Sequence, residues 1–332
     1  VRDPQVRIRW YDVIGLLLAA GLSAWTAISA SVSGGRSQPQ LALLVAALAA
    51  YVAGRQLSHR AQLAAGIVAA GLLAVAVITI PETFVGPPRH TPLNYENADA
   101  AWFAQGTAAA VMLAVSARTR RVRALAWLGA AVLVAVAAGL RSVAGAGLAT
   151  VVVLVGAAAH RARPRPTATI GMVAVLAAVA ATVFLASLPG SAVARVAERG
   201  LSERRIVLWQ EALELTEEHP VFGVGPAQFA VEAPTARQDP DARWAHSAYL
   251  QEAAESGIPG TVLLSGLLGW AYGALGRSGR DSAIVVVAIA GLTALAVHAA
   301  IDYVLHFPAI VLTSAFLLGV ATGRPTPPRS PP

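Results

Sequence analysis

Nearly uncharged apolar runs recur along most of the chain, at 13–33, 41–54, 62–80, 98–117, 124–140, 142–159, 168–188, 258–276, 283–301 and 307–323. A helix that crosses a bilayer needs about 20 mostly apolar residues, and only the run at 41–54 is clearly short of that. Ala, Gly, Val and Leu dominate the runs, which suits helices that pack closely in lipid. The pattern predicts an all-α fold, a polytopic transmembrane helical bundle of about ten spans with one long helical extracytoplasmic loop. Residues 1–188 would hold the first seven spans, 189–257 the loop, 258–323 the last three spans, and 324–332 a disordered Pro-rich cytoplasmic tail. No internal repeat and no inverted duplication is visible.

Composition sharpens this picture. Only 13% of the 332 residues are charged, against about 25% in ordinary soluble domains. So few charges cannot cover a water-exposed surface, which excludes an ordinary soluble enzyme. There are no cysteines, hence no disulfides, thiolate metal sites or cysteine nucleophiles. The net charge of +7 comes from 25 basic residues, all of them Arg. With the N-terminus inside, 16 of those 25 fall in cytoplasmic segments. That is the arginine bias of a membrane protein and needs no nucleic-acid partner. Both termini are expected in the cytoplasm, with the first span acting as an uncleaved anchor.

The segment 189–244 is far longer than the other connections, and loops beyond about 15 residues are usually functional or disordered. Ser202 is a candidate N-cap, and Ile206, Trp209 and Leu213 recur at helical spacing. Glu211, Glu214, Glu217 and Glu218 fall on the other side, predicting an amphipathic helix at the membrane surface. His219-Pro220 ends it, and Gly223-Val224-Gly225-Pro226 predicts a tight turn. Asp239-Pro240-Asp241 reads as a further turn. From Arg243 to Glu252 the chain should turn into the helix that leads to the span at 258.

His246 lies at the water–bilayer boundary, where a neutral imidazole can accept a proton from an attacking hydroxyl. Taken alone, it reads rather as a histidine bonded to a loop carbonyl. Arg141 interrupts the apolar stretch from 124 to 159 on the external side. A charge at such depth marks function by default, the alternative being an arginine that snorkels to headgroups. Arg204 and Arg205 face the same compartment. Three guanidinium forks suit a diphosphate, and anionic headgroups would satisfy them as well. Asn94, Tyr95, Glu96 and Asn97 sit where the chain re-enters the membrane and can serve as helix caps. His298, Asp302 and His306 follow one another at four-residue steps, fit for a proton, a metal or a structural hydrogen bond.

Several motifs then combine in order. His246-Ser247, nine residues, and Gly257-Ile258-Pro259-Gly260 match H-[N/S]-x9-G-x-x-G. Arg205 to Trp209, followed by Pro220 to Gly225, matches R-x-x-L-W … P-x-x-G-x-G. Gly139-Leu140-Arg141-Ser142 looks like an intramembrane S-R-G segment with the serine moved behind the arginine. Tyr95-Glu96-Asn97-Ala98 and Val297-His298 with Asp302 and Pro308 complete the set. The whole resembles the O-antigen ligase and polymerase family, over roughly residues 80–323.

That resemblance implies a multi-span membrane glycosyltransferase in the bacterial cytoplasmic (inner) membrane, with its active site outside. It would take a glycan from a polyprenyl diphosphate-linked donor and pass it to a glycan or glycolipid acceptor, among membrane lipids, with no cofactor and no metal. Arg141 and Arg205, with Arg204 beside them, would hold the diphosphate, and His246 would activate the acceptor hydroxyl. Asn97, Trp209, Ser247, Glu252, His298 and Asp302 would support them. A carrier-linked polysaccharide polymerase of the same family stands beside the ligase. A transporter or flippase of lipid-linked anionic solutes would use the same arginines without a base, and a scaffold for envelope assembly would use neither.

Overall fold

The computed structural model describes residues 10–84, 91–188, 203–239 and 242–323, with side chains left aside at 81–84 and 203. All regular structure among the described residues is helical. In chain order the main helices are Trp10–Ser33 (α1), Gln38–Gln56 (α2), Ala61–Phe84 (α3), Glu96–Ser116 (α4), Arg120–Gly139 (α5), Val143–Ala158 (α6), Pro164–Ala186 (α7), Glu203–Glu218 (α8), Ala248–Gly276 (α9), Ser282–Ile301 (α10) and Pro308–Thr322 (α11). Among the described residues seven stretches are long and apolar enough to cross a membrane, with Gln38–Ile80 counting as one through the 3₁₀ turn Leu57–Arg60. α6 and α11 are apolar but shorter.

Helix ends follow local chemistry. Thr119, Ser142, Ser247 and Asp281 each accept a backbone N–H from the first turn that follows them, which satisfies a donor the helix leaves open. Proline stands in the first turn of α2, α7 and α11, where its missing N–H costs nothing.

α4 and α10 form the centre. Their apolar windows are 83% and 78% buried, against 22% for α1 and α7. α4 is the least apolar of the seven stretches because its polar groups face protein instead of lipid. Gln105, for instance, donates to the Gly291 carbonyl of α10 at 3.1 Å. Around this pair the helices approach through small residues. A Cβ on Gly54 of α2 would run into the Phe316 carbonyl of α11, and one on Gly319 into the Tyr51 carbonyl.

The segment 203–245 builds a second core over one end of the bundle. Ile206, Leu208, Trp209, Ala212 and Leu215 of α8 pack with Phe229, Ala233, Ala242 and Ala245, and with Leu250 and Ala254 of α9. The amphipathic helix predicted from sequence is therefore present, though its candidate cap Ser202 lies outside the described residues. One face differs from expectation. Glu211 is buried, and its carboxylate accepts from the backbone N–H and hydroxyl of Thr235 at 2.9 and 2.6 Å. Glu214, Glu217 and Glu218 remain exposed.

α9 is broken at Gly257, whose φ of 68° and ψ of −172° are non-helical. The break frees carbonyls that the 220–225 turn takes up. Val224 N–H donates to the Ala254 carbonyl and Gly225 N–H to that of Glu255, both at 2.9 Å, while Ile258 N–H donates to Pro220 at 2.9 Å. A Cβ on Gly257 would collide with the Val221 carbonyl, and one on Gly223 with the Glu255 backbone. The glycines of the two motifs thus meet each other across this junction. α1 locks it from outside through Trp25 to the Ser256 carbonyl at 2.7 Å and Ser29 to that of Phe222 at 2.6 Å.

Candidate functional site

α10 ends at Asp302, whose extended backbone turns its side chain into the interface between the bundle and the 203–245 segment. The carboxylate is fully buried, so it must be answered by donors. Asn97 Nδ2 donates at 2.8 Å and Tyr95 Oη at 2.7 Å, both at the start of α4. Arg205 Nη2 of α8 pairs with Oδ2 at 3.0 Å, and His246 Nδ1 lies 3.3 Å from Oδ1. The N–H of Tyr303 adds a contact at 2.8 Å. Burial alone would push the carboxyl upward. The hydrogen bond from His246 and the charge of Arg205 outweigh it, so Asp302 is held below the usual carboxylate range. Burial and then the charge of Asp302 push the Tyr95 and Tyr303 hydroxyls above the usual phenol range, which keeps Tyr95 a neutral donor.

The arrangement fixes His246. Its φ is 49°, a left-handed conformation that non-glycine residues adopt only when surroundings enforce it. Trp209 Nε1 donates to its carbonyl at 3.0 Å. Gln251 accepts the neighbouring Ala245 N–H at 3.1 Å and donates to Glu255 at 3.1 Å. Glu255 in turn accepts from Ala227 and Phe229 N–H at 3.0 and 3.3 Å. Tyr303 packs edge-on to the imidazole at 4.9 Å, and Tyr95, Tyr303 and Trp244 form one stack. With Nδ1 donating to a carboxylate, a neutral imidazole keeps its Nε2 lone pair for another partner.

Arg204 and Arg205 part company because successive helical residues point about 100° apart. Arg205 is 19% exposed and reaches Asp302, whereas Arg204 is 54% exposed and pairs with Asp239 at 3.0 Å. Of the Asp239 turn, Pro240 and Asp241 lie outside the described residues. Arg141 also has a left-handed backbone, with φ of 59°. Its side chain is exposed and makes no hydrogen bond or ion pair among the described residues. It sits at the same end of the bundle, because Leu140 packs with Ala100 and Phe103 of α4 and a Cβ on Gly145 would strike Ala100.

The remaining expected residues divide. Asn97 and Asp302 are in the cluster, Trp209 holds the His246 backbone, and Ser247 caps α9 at 3.4 Å. Glu252 lies away from the cluster, against Ser256 and Gly260. His298 is buried one turn before Asp302 with no partner for Nε2. His306 packs on Trp244 at 4.2 Å, with Nε2 facing Gln251 at 3.4 Å. His298, Asp302 and His306 thus do not converge on a common point, and among the described residues no group of three or more such side chains is arranged to hold a metal ion. Sequence reasoning gave no role to Tyr303, Trp244 or Gln251, and read Tyr95 as a cap. The only signal was proximity, since Tyr95 stands two residues from Asn97 and Trp244 two from His246.

A buried carboxylate joining an arginine and a histidine at one end of an apolar helical bundle marks a multi-pass membrane protein with a chemically equipped site. The family model described as O-Antigen ligase matches residues 140–265, and this supports the O-antigen ligase and polymerase family. That family implies a glycosyl-transfer enzyme class, with lipid-linked glycan and acceptor substrates in general terms. No curated protein matches the chain. The matched stretch contains Arg141, Arg204, Arg205, Trp209 and His246, whereas Tyr95, Asn97 and Asp302 lie outside it.

Proposed function

We propose that this protein transfers a glycan from a polyprenyl diphosphate-linked donor to a glycan or glycolipid acceptor, without a metal. In this reading all ten apolar helices cross the cytoplasmic membrane, and the Asp302 end faces outside with the termini in the cytoplasm. The supporting observation is that Arg205 and His246, from different elements, occupy the two oxygens of one buried carboxylate, at 3.0 and 3.3 Å.

The acceptor hydroxyl gives its proton to His246 Nε2 as its oxygen bonds to the anomeric carbon. The bond from that carbon to the diphosphate oxygen breaks, and the diphosphate leaves with the electron pair. Attack opposite the leaving group inverts the anomeric centre. Negative charge grows on the diphosphate, and in this reading Arg141 and Arg205 stabilise it. Arg205 uses one donor on Asp302, which leaves the rest of its fork for phosphate oxygens. Arg204 adds positive potential from the rim. Asp302 holds the imidazole in the tautomer that can act as a base and stabilises the imidazolium that forms.

His246→Ala is expected to abolish transfer from a defined polyprenyl diphosphate-linked glycan, while donor binding survives. The measurement is product formation by mass spectrometry beside donor binding by the purified protein. Unchanged turnover in that variant removes the histidine from the mechanism, and translocation of the donor without release of carrier diphosphate makes the protein a transporter.

A further inference from the structure

At the end of the bundle opposite Asp302, about 30 Å away along the 20 residues of α10 at 1.5 Å per residue, a cleft of about 470 Å³ opens between α7 and α9. α7 contributes Arg165, Ala168, Thr169 and Met172. α9 contributes Gly269, Gly273 and Gly276, with Tyr272 and Arg277. Gly269 opens the cleft, since a Cβ there would meet nothing within 4 Å, whereas Gly276 packs against α7 with its Cβ position 3.7 Å from Ala168. The Tyr272 hydroxyl is engaged by Thr293 of α10 at 2.8 Å, so the floor is closed by protein. Two guanidiniums stand at the mouth. The backbones that carry them are close neighbours, because the Cβ position of Gly276, next to Arg277, lies 3.8 Å from Arg165 Cα. Neither Arg165 nor Arg277 has a carboxylate partner among the described residues, and Arg277 donates only to the Gly273 carbonyl of its own helix. Beside the cleft, Val173 and Leu176 of α7 present exposed apolar surface.

We propose that this cleft binds an anionic phospholipid. Arg165 and Arg277 hold the phosphate, and an acyl chain lies along the glycine face of α9. Arginine bias toward one membrane face explains many scattered charges. It does not explain why two unpaired ones flank a cleft that is apolar below and open to lipid. Basic pockets between membrane helices on the cytoplasmic side suit anionic headgroups for this reason.

The test is native mass spectrometry of the full chain released from nanodiscs of equal phosphatidylglycerol and phosphatidylcholine. The wild type should retain phosphatidylglycerol in preference, and R165Q/R277Q should reduce that preference about tenfold. Gly269→Leu, which fills the cleft and leaves both arginines, should reduce retention of either lipid. R120Q/R121Q removes two exposed arginines of the same end away from the cleft and should change nothing. Wild-type preference surviving in R165Q/R277Q overturns the proposal, as does an equal loss in R120Q/R121Q, which would make the effect one of surface charge. Preferential retention of an added polyprenyl diphosphate that is lost in R165Q/R277Q also overturns it, in favour of the carrier lipid.

Discussion

The membrane helices hold one another through glycine and alanine, whereas the segment over their site end is built around large rings. In lipid there is no hydrophobic drive to bring helices together, so small residues that let backbones touch supply the packing. Gly54 and Gly319 between α2 and α11 are of that kind. Residues 203–245 instead bury Trp209 and Phe229 completely, as a water-facing domain would. Asp302 lies where these two kinds of packing meet. The bundle brings the carboxylate, Asn97 and Tyr95, and the outer segment brings Arg205 and His246. The site is therefore assembled where the two meet, across a core that the outer segment shares with Leu250 and Ala254 of α9.

Cutting the junction itself should have the largest effect. Asp302→Asn keeps the size of the side chain but removes the charge and can present its amide to His246 in place of a carboxylate. Transfer should fall about 100-fold or more, with little change in helix content by circular dichroism. Trp209→Ala removes the centre of the outer core and, with it, the donor to the His246 carbonyl. It should cost about 3–5 kcal/mol of local stability, read as rapid proteolysis within 203–245 while fragments of the bundle persist.

A smaller effect comes from pH. Burial, only partly offset by the Tyr303 carbonyl, pushes His306 down from 6.5 to about 4. The unfolded imidazole binds a proton first, so the stability His306 contributes is complete above about 6.5 and is lost as pH falls toward 4. Asp302, held below its ordinary value, loses its contribution only at still lower pH. Protection factors for hydrogen exchange over 242–251, which divide out the intrinsic pH dependence, should fall between pH 6.5 and 4 in the wild type and stay flat in His306→Gln. Arg204→Ala should do least, within about 1 kcal/mol of stability, because its ion pair is exposed. Its transfer rate should stay within about threefold of wild type, set beside a much larger loss for Arg205→Ala.

The helices were legible because uncharged runs have few other uses, and each of the ten runs found from sequence coincides with a helix. α8 was legible through the spacing of Ile206 and Trp209. What sequence could not give was direction. Arg204 and Arg205 look alike until the end of α10 fixes which of them faces Asp302. Glu211 looks solvated until Thr235, 24 residues away, is known to sit on it. Tyr95, Trp244 and Tyr303 are joined by ring stacking between three separate segments, and local periodicity carries no trace of that. The G-x-x-G motif marked the position of Gly257, but only the coordinates connect it with a broken helix and the turn at 220–225.

That connection restricts how bulky molecules can arrive. Swinging the 220–225 turn outward like a door would take the donors of Val224 and Gly225 away from the carbonyls of Ala254 and Glu255, and a buried carbonyl left without a donor is costly. On the proposed reading, entry instead runs sideways from the lipid or past the far flank of α8, with the stitched turn as the stationary doorframe.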